Sequence, residues 1–208
     1  MVKPDQPLRP YYHGTPMLRN GPTLLSLALV VAMVGGCATY DSDEAPEVVD
    51  DVDLERYAGT WYEVAAVPIR PQRGCVGTTA DYKIRDDGDV TVVNECYDES
   101  FDGELRSTEG RAWLQSEESD ARLWVRFFWP FRGHYWIVDL DDDYRWAVVS
   151  NPDRDPFWIL SRSPCMDQKR FDRIVASLRE RGFDIELLET TLQRDEDGRR
   201  CEVQIPGE

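Results

Sequence analysis

The sequence predicts a mainly β domain, an eight-stranded antiparallel up-and-down β-barrel with one C-terminal α-helix packed on its outside. Three observations carry this. Between Trp61 and Arg162, short apolar runs alternate with turn residues at regular spacing. The connections are short throughout, and successive antiparallel strands joined that way close most simply as a barrel with no open edge. After Pro164 the apolar period changes from two to three or four, the signature of a helix.

The strands follow in order. Trp61–Pro68 is the first, entered through Gly59-Thr60 and left through a loop, Ile69–Gly74, that holds Pro71 and Gly74. Val76–Arg85 and Val90–Tyr97 flank Asp86-Asp87-Gly88-Asp89, a hairpin signal because Asp-Gly readily supplies positive φ. Leu105–Gln115 and Arg122–Phe128 are separated by the charged turn Ser116–Asp120. Trp129–Gly133 leads into Tyr135–Leu140, Asp141–Asp143 into Tyr144–Ser150, and Asn151–Pro156 into Phe157–Arg162. In Gln168–Arg181, Phe171, Ile174, Val175 and Leu178 fall on one helical face, with Asp167 as N-cap and Gly182 just past the end. Ile185–Leu188 is a candidate ninth strand, and residues 193–208 read as a polar tail.

The N-terminus reads as an export signal. Thr23–Val34 is an apolar run too short to span a bilayer comfortably, preceded by Arg19 and followed by Gly35-Gly36-Cys37. It resembles a bacterial lipoprotein signal with Val34–Cys37 as the lipobox. That resemblance implies a cleaved segment 1–36 and acyl chains on Cys37, and Ala38 after it implies sorting to the outer membrane. Translation starts at Met1 or at Met17, the latter giving a conventional short basic leader, Leu18-Arg19-Asn20. Residues 37–52 then form the lipidated N-terminus and an acidic, flexible tether, residues 53–192 the domain, and residues 193–208 the tail.

The chain carries a net charge of −16, and removing residues 1–36 takes Lys3, Arg9 and Arg19 but only Asp5, so the mature chain is more acidic still. A nucleic-acid-binding surface is expected to be basic, so nucleic acid is excluded as a partner.

The barrel segments resemble the bacterial outer-membrane lipocalins, the branch most similar to apolipoprotein D, over roughly residues 52–192. The resemblance rests on Gly59-Thr60-Trp61-Tyr62-Glu63, Gly74-Cys75-Val76, Phe127–Phe131, Tyr135–Leu140, Asp143-Tyr144, Trp146-Ala147 and Trp158–Arg162. Asp142-Asp143-Tyr144 stands where many members have Thr-Asp-Tyr. The resemblance implies that Arg162, ending the last strand, lies over Trp61 in the first as a structural closed-end pair, a cation–π contact of roughly 1–2 kcal/mol when shielded.

Apart from Cys37 there are four cysteines, Cys75, Cys96, Cys165 and Cys201, an even number that favours two disulfides in an exported chain. Three connectivities are open. Cys75 and Cys96 both lie at the barrel's open end, but the register centred on Asp87-Gly88 offsets them by roughly 13 Å, beyond disulfide reach unless the loop folds back. The apolipoprotein D resemblance implies Cys75 to Cys201.

Function follows from the barrel. Eight strands leave an interior wide enough for side chains or one small ligand, and the resemblance implies fatty acids or lysophospholipids, stored or transported in the cell envelope. Both faces of several strands are apolar, so alternation alone leaves the inward parity open. One parity gives a lining of Val64 (or Ala65), Leu123, Val125, Phe127, Tyr135, Ile137 and Trp146, with Trp124, Phe128, Trp136 and Trp158 outside. Arg132 and His134 lie near the mouth in the loop after Trp129 and read first as part of a solvated loop, second as partners for a ligand's carboxylate or phosphate. No catalytic residues are assigned. The mature chain keeps one histidine, His134, so a His-rich metal site is excluded, and there is no nucleophile elbow, phosphate loop or dinucleotide fingerprint; no metal and no cofactor are expected. Two alternatives stand beside the binding protein: a side-chain-filled barrel acting through its outer surface, and an enzyme using Cys75 or Cys96 with His134.

Overall fold

Residues 45–207 are described by a computed structural model. The export signal, both candidate start methionines, Cys37 and the first part of the tether lie outside them. A short helix, α1 (Leu54–Tyr57), capped by the Asp53 carboxylate, delivers the chain to the barrel. Eight strands follow, β1 (Gly59–Ala66), β2 (Cys75–Ile84), β3 (Val90–Asp98), β4 (Leu105–Leu114), β5 (Arg122–Arg126), β6 (Gly133–Leu140), β7 (Trp146–Ser150) and β8 (Phe157–Ser161). Each pairs antiparallel with the next, and β1 pairs with both β8 and β2, so the sheet closes on itself. Helix α2 (Gln168–Glu180) starts at Asp167, whose carboxylate accepts from the Arg170 N–H, and stops before Gly182 at φ +80°.

Because the strands alternate in direction, the loops at residues 67–74, 99–104, 127–132 and 151–156 share one end, the mouth. Those at 85–89, 115–121 and 141–145 share the other end with α1. The core has two layers. One fills the lumen around Trp61, Tyr82, Val92, Leu123, Ile137, Val149 and Leu160. The other lies between the outer wall and the apolar face of α2, where Phe171, Ile174, Val175 and Leu178 meet Trp136, Val148, Phe157 and Ile159. Two buried layers on either side of one sheet explain why several strands show no clean alternation.

The chain's two ends depart from expectation. The second half of the tether is packed on the barrel: Val52 is buried, the Val49 N–H donates to the Ile137 carbonyl at 3.0 Å, and Arg181 donates to the Glu47 carbonyl at 3.2 Å. Three valines among the acids, Val48, Val49 and Val52, hold it there by apolar burial. Residues 193–207 are likewise no free tail. The expected ninth strand at Ile185–Leu188 is a 3-10 turn over Ile185–Leu187, and the strand comes later, as β9 (Glu189–Thr190), paired with Ala65 and Ala66 of β1. Strands β10 (Gln193–Arg194) and β11 (Arg200–Cys201) form a small hairpin, Val203 is buried under α2, and Gln168 bonds the backbone of Gln204.

This C-terminal segment completes the wall. β2 pairs with β1 only from Gly59 to Tyr62 and then diverges, with an irregularity between Val76 and Thr79. Residues 189–193 fill the gap: the Thr191 N–H donates to the Val64 carbonyl, the Gly77 N–H to the Leu192 carbonyl, and the Gln193 amide to the carbonyls of both Glu63 and Thr78.

The disulfide expectation is corrected. Cys75 bonds Cys96 and Cys165 bonds Cys201, with Cα separations of 5.4 and 5.2 Å, so the implied Cys75–Cys201 pair does not form. Where Gly77 turns aside to meet Leu192, β2 shifts register and brings Cys75 within reach of Cys96. The β10–β11 hairpin, in turn, carries Cys201 to Cys165.

Candidate functional site: the lumen and its mouth

Parity sorts the predicted lining. Trp61 points into the lumen, so alternation sends Val64 outward, into the layer under α2; a bulge between Glu63 and Ala65 then sends Ala65 outward as well. Ala147 and Val149 of β7 face the lumen, which puts Trp146 on the outer wall. Val64 and Trp146 are therefore corrected as lining residues. Leu123, Val125, Phe127, Tyr135 and Ile137 lie in the lumen layer. Trp136 is outside under α2 and Phe128 is exposed, but Trp158 faces inward, next to Phe127 and Tyr135 in the same layer. Phe127 has its place because β4 carries Gly110 opposite it: a Cβ there would stand 2.6 Å from the Phe127 ring.

The closed end is sealed by Arg162. Its guanidinium carbon lies 3.9 Å from the centroid of a Trp61 ring, and its N–H groups donate to the carbonyls of Thr60, Arg56, Tyr57 and Ala58 at 2.8–2.9 Å. Gly59 sits at φ +91°, and a Cβ on it would meet the guanidinium at 3.4 Å. The Trp61 indole N–H donates to the Tyr57 carbonyl at 2.8 Å, so the plug is bonded as well as buried. Above it, the hydroxyls of Tyr57, Tyr135 and Tyr82 form a chain with separations of 2.9 and 2.8 Å. Burial pushes all three phenols above their ordinary pKa, which keeps them neutral.

The mouth holds the lumen's acid. Glu63 is 7% exposed, its carboxylate accepting from the Thr191 hydroxyl at 2.7 Å and from the Gln72 amide at 2.7 Å. Gln72 belongs to the 3-10 turn of the β1–β2 loop, and its carbonyl oxygen accepts from the Trp158 indole N–H at 3.1 Å. The loop is thereby fixed across the mouth from inside, while Arg106 of β4 donates to the Pro71 and Arg73 carbonyls from outside. Burial raises the Glu63 carboxyl from its ordinary 4.5 to about 7, outweighing the two donors that favour its charge.

Arg132 and His134 point away from the lumen. Both stack on Trp124 of the outer wall, at 3.9 Å for the guanidinium and 4.2 Å between rings, and the His134 Nδ1 lies 3.0 Å from the Gln115 amide. Since Cys75 and Cys96 are bonded to each other, neither offers His134 a thiol.

Glu63, Gln72, Tyr57 and Tyr82 were missed by the sequence reading, and Trp158 was placed on the wrong face. A signal existed for one of them: Glu63 is the single charged residue of an otherwise uncharged β1. Nothing local marks Gln72, whose partners are fixed only by the loop's fold over the mouth.

The family model for the lipocalin-like domain matches residues 52–193. The chain is 38% identical over 162 residues to the outer membrane lipoprotein Blc of Escherichia coli (strain K12), a match covering 78% of this chain and 91% of that protein. It is 40% identical to the Blc lipoprotein of Citrobacter freundii (75% of this chain, 88% of that protein) and 30% identical to apolipoprotein D of Mus musculus (72% and 81%). Among solved structures, insecticyanin from the tobacco hornworm Manduca sexta superposes with a TM-score of 0.56 at 20% identity, covering 77% of this chain and 90% of that one, a likeness of fold. With the domain matched almost from end to end and the closed barrel in place, the chain belongs to the lipocalin family.

Proposed function

We propose that this protein is an outer-membrane lipid-binding protein, anchored through acyl chains on Cys37, whose barrel takes one fatty acid or lysophospholipid in the cell envelope. The observation that carries the reading is the apolar lining of the lumen, Phe127 and Val125 toward the mouth and Leu123 and Ile137 toward the closed end, in a chain whose relatives are named outer membrane lipoproteins. The polar groups there, the tyrosine hydroxyls and Glu63, are bonded to one another or to their surroundings and leave the remaining lining suited to an acyl chain. The barrel serves as a container rather than a catalyst, and residues 1–36 serve as its export signal.

One observation favours a second reading, a filled barrel acting through its outer surface. The cavity among Leu54, Tyr57, Tyr82, Ile84, Leu123, Tyr135 and Ile137 is only about 20 Å³, room for roughly one water molecule. On the binding reading, the β1–β2 loop and the Phe127 and Trp158 side chains move aside when the ligand enters.

Native mass spectrometry of the exported, anchor-free chain (Cys37→Ser), followed by lipid extraction, decides between them. A one-to-one lipid adduct is expected. A clean apo mass that persists after incubation with fatty acid and lysophospholipid selects the filled barrel. Phe127→Asp is expected to lower ligand affinity by about tenfold or more, since a charge in the channel must be desolvated; unchanged affinity in a folded variant removes Phe127 from the lining. Cys37→Ser is also expected to move the protein from the membrane fraction to the soluble one, and retention in the membrane would defeat the anchor.

A further inference from the structure

Six large apolar side chains are exposed among the described residues, and five of them sit at the mouth. Ile69 is in the β1–β2 loop and Leu105 starts β4 directly after the β3–β4 loop. Phe128, Trp129 and Phe131, exposed at 68%, 83% and 77%, occupy the β5–β6 loop. A soluble face has no use for three such rings side by side, and clustering of this kind marks an interaction surface.

The surrounding charge is as uneven. The chain carries 40 acidic residues, yet the eighteen residues from Ala121 to Val138 contain none, while they hold Arg122, Arg126, Arg132 and His134. Arg126 and Arg132 bracket the aromatic tip on either side and are held at its base by indole faces, Arg126 over Trp113 at 5.3 Å and Arg132 over Trp124 at 3.9 Å. Across the mouth, the β1–β2 loop repeats the pattern in smaller form, with Ile69 beside Arg70 and Arg73. The two loops between them are acidic, through Asp98, Glu99, Asp102 and Glu104 on one side and Asp153 and Asp155 on the other.

We propose that the β5–β6 loop is a membrane-docking element, inserting Phe128, Trp129 and Phe131 among lipid headgroups and acyl chains while Arg126 and Arg132 meet the phosphates. The chemistry fits a bilayer surface: aromatic rings settle at the interface, and a cationic collar around an apolar tip matches an anionic headgroup layer above hydrocarbon. A second copy fits less well: elsewhere on the surface only Leu187 is an exposed large apolar residue among the described residues, and docking mouth to mouth would bring the two cationic collars together. The length of chain outside the described residues agrees. From Cys37 to Ala45 is eight residues, at most about 28 Å when extended, so an anchored barrel stays within reach of the surface that holds its lipid. Docked this way, the mouth opens toward the bilayer and an acyl chain passes between membrane and lumen without crossing bulk water. The inference rests on the binding reading for that last step, but not for docking itself.

The test is co-flotation of the mature chain without its anchor, residues 38–208, with vesicles of phosphatidylethanolamine and phosphatidylglycerol at three to one. Phe128→Ser/Trp129→Ser, both exposed and so compatible with folding, is expected to lower vesicle partitioning by about tenfold or more. Leu187→Ser should leave it unchanged. In the parent protein, lipids carrying a bromine or nitroxide near the headgroup should quench tryptophan emission, and Trp129→Phe should remove that quenched component. Equal partitioning of the parent and the double variant overturns the proposal. So does a dimer in native mass spectrometry that the double variant dissociates, because the rings then face a second copy. Lipid adducts, measured separately, keep the two readings apart: docking without adducts overturns the binding function alone, and adducts without docking overturn this inference alone.

Discussion

Arg162→Ala is expected to destabilise the fold by about 3 kcal/mol, measured by urea denaturation at neutral pH. The guanidinium serves four carbonyls and an indole face at once. Charge-assisted hydrogen bonds contribute roughly 1.5–3 kcal/mol each in isolation and are not additive, and the cation–π contact adds about 1 kcal/mol. Water replaces part of this after truncation, so the total falls well short of the sum. Arg162→Lys should recover less than half of the loss, because an ammonium on a flexible stem cannot span carbonyls from Arg56 to Thr60 as the planar fork does. A loss under about 1 kcal/mol for the alanine variant would mean that Trp61 and α1 close the barrel without it.

The second large effect is one of pH. In the folded protein Glu63 titrates near 7, against an ordinary 4.5. The folded state therefore holds a proton that the unfolded state has released between those values. This contribution to stability is fully present below about pH 4.5, declines as pH rises toward 7, and is gone above it. The shift corresponds to about 3 kcal/mol at most. Glu63→Gln keeps the side-chain shape and an acceptor for the Gln72 amide, and removes the titration. Comparing urea midpoints from pH 4.5 to 8, the variant should gain on the parent steadily up to pH 7 and hold its advantage beyond. Parallel pH profiles for the two proteins would place the Glu63 carboxyl in an ordinary, hydrated setting.

Most of the architecture was legible because it depends on short-range patterns. Asp87-Gly88 fixes one hairpin, Asp167 and Gly182 fix the ends of α2, and each strand boundary carries its own turn residues. Facing direction was less legible. In a sheet covered by α2 on one side and filled on the other, Ala147 is buried and Trp146 partly so, and composition favours the tryptophan as lining when the alanine holds that position. The bulge after Glu63 and the register shift at Gly77 displace partners by a residue with no mark in the local pattern beyond a glycine. The disulfides were misassigned for the same reason, since Cys75 reaches Cys96 only through that shift. Long-range closure was the least legible of all. Nothing in the sequence around Thr191 and Gln193 announces that they enter the wall between β1 and β2.

That late insertion bears on how the molecule is made. Gln193 bonds the Glu63 carbonyl across 130 residues of sequence and the Thr78 carbonyl across 115. A chain emerging N-terminus first therefore has its eight strands in hand while the wall between β1 and β2 is still parted near the mouth. Filling of that seam waits for residues 189–193, so the mouth end of the wall between β1 and β2 is completed after the eight-stranded barrel it belongs to.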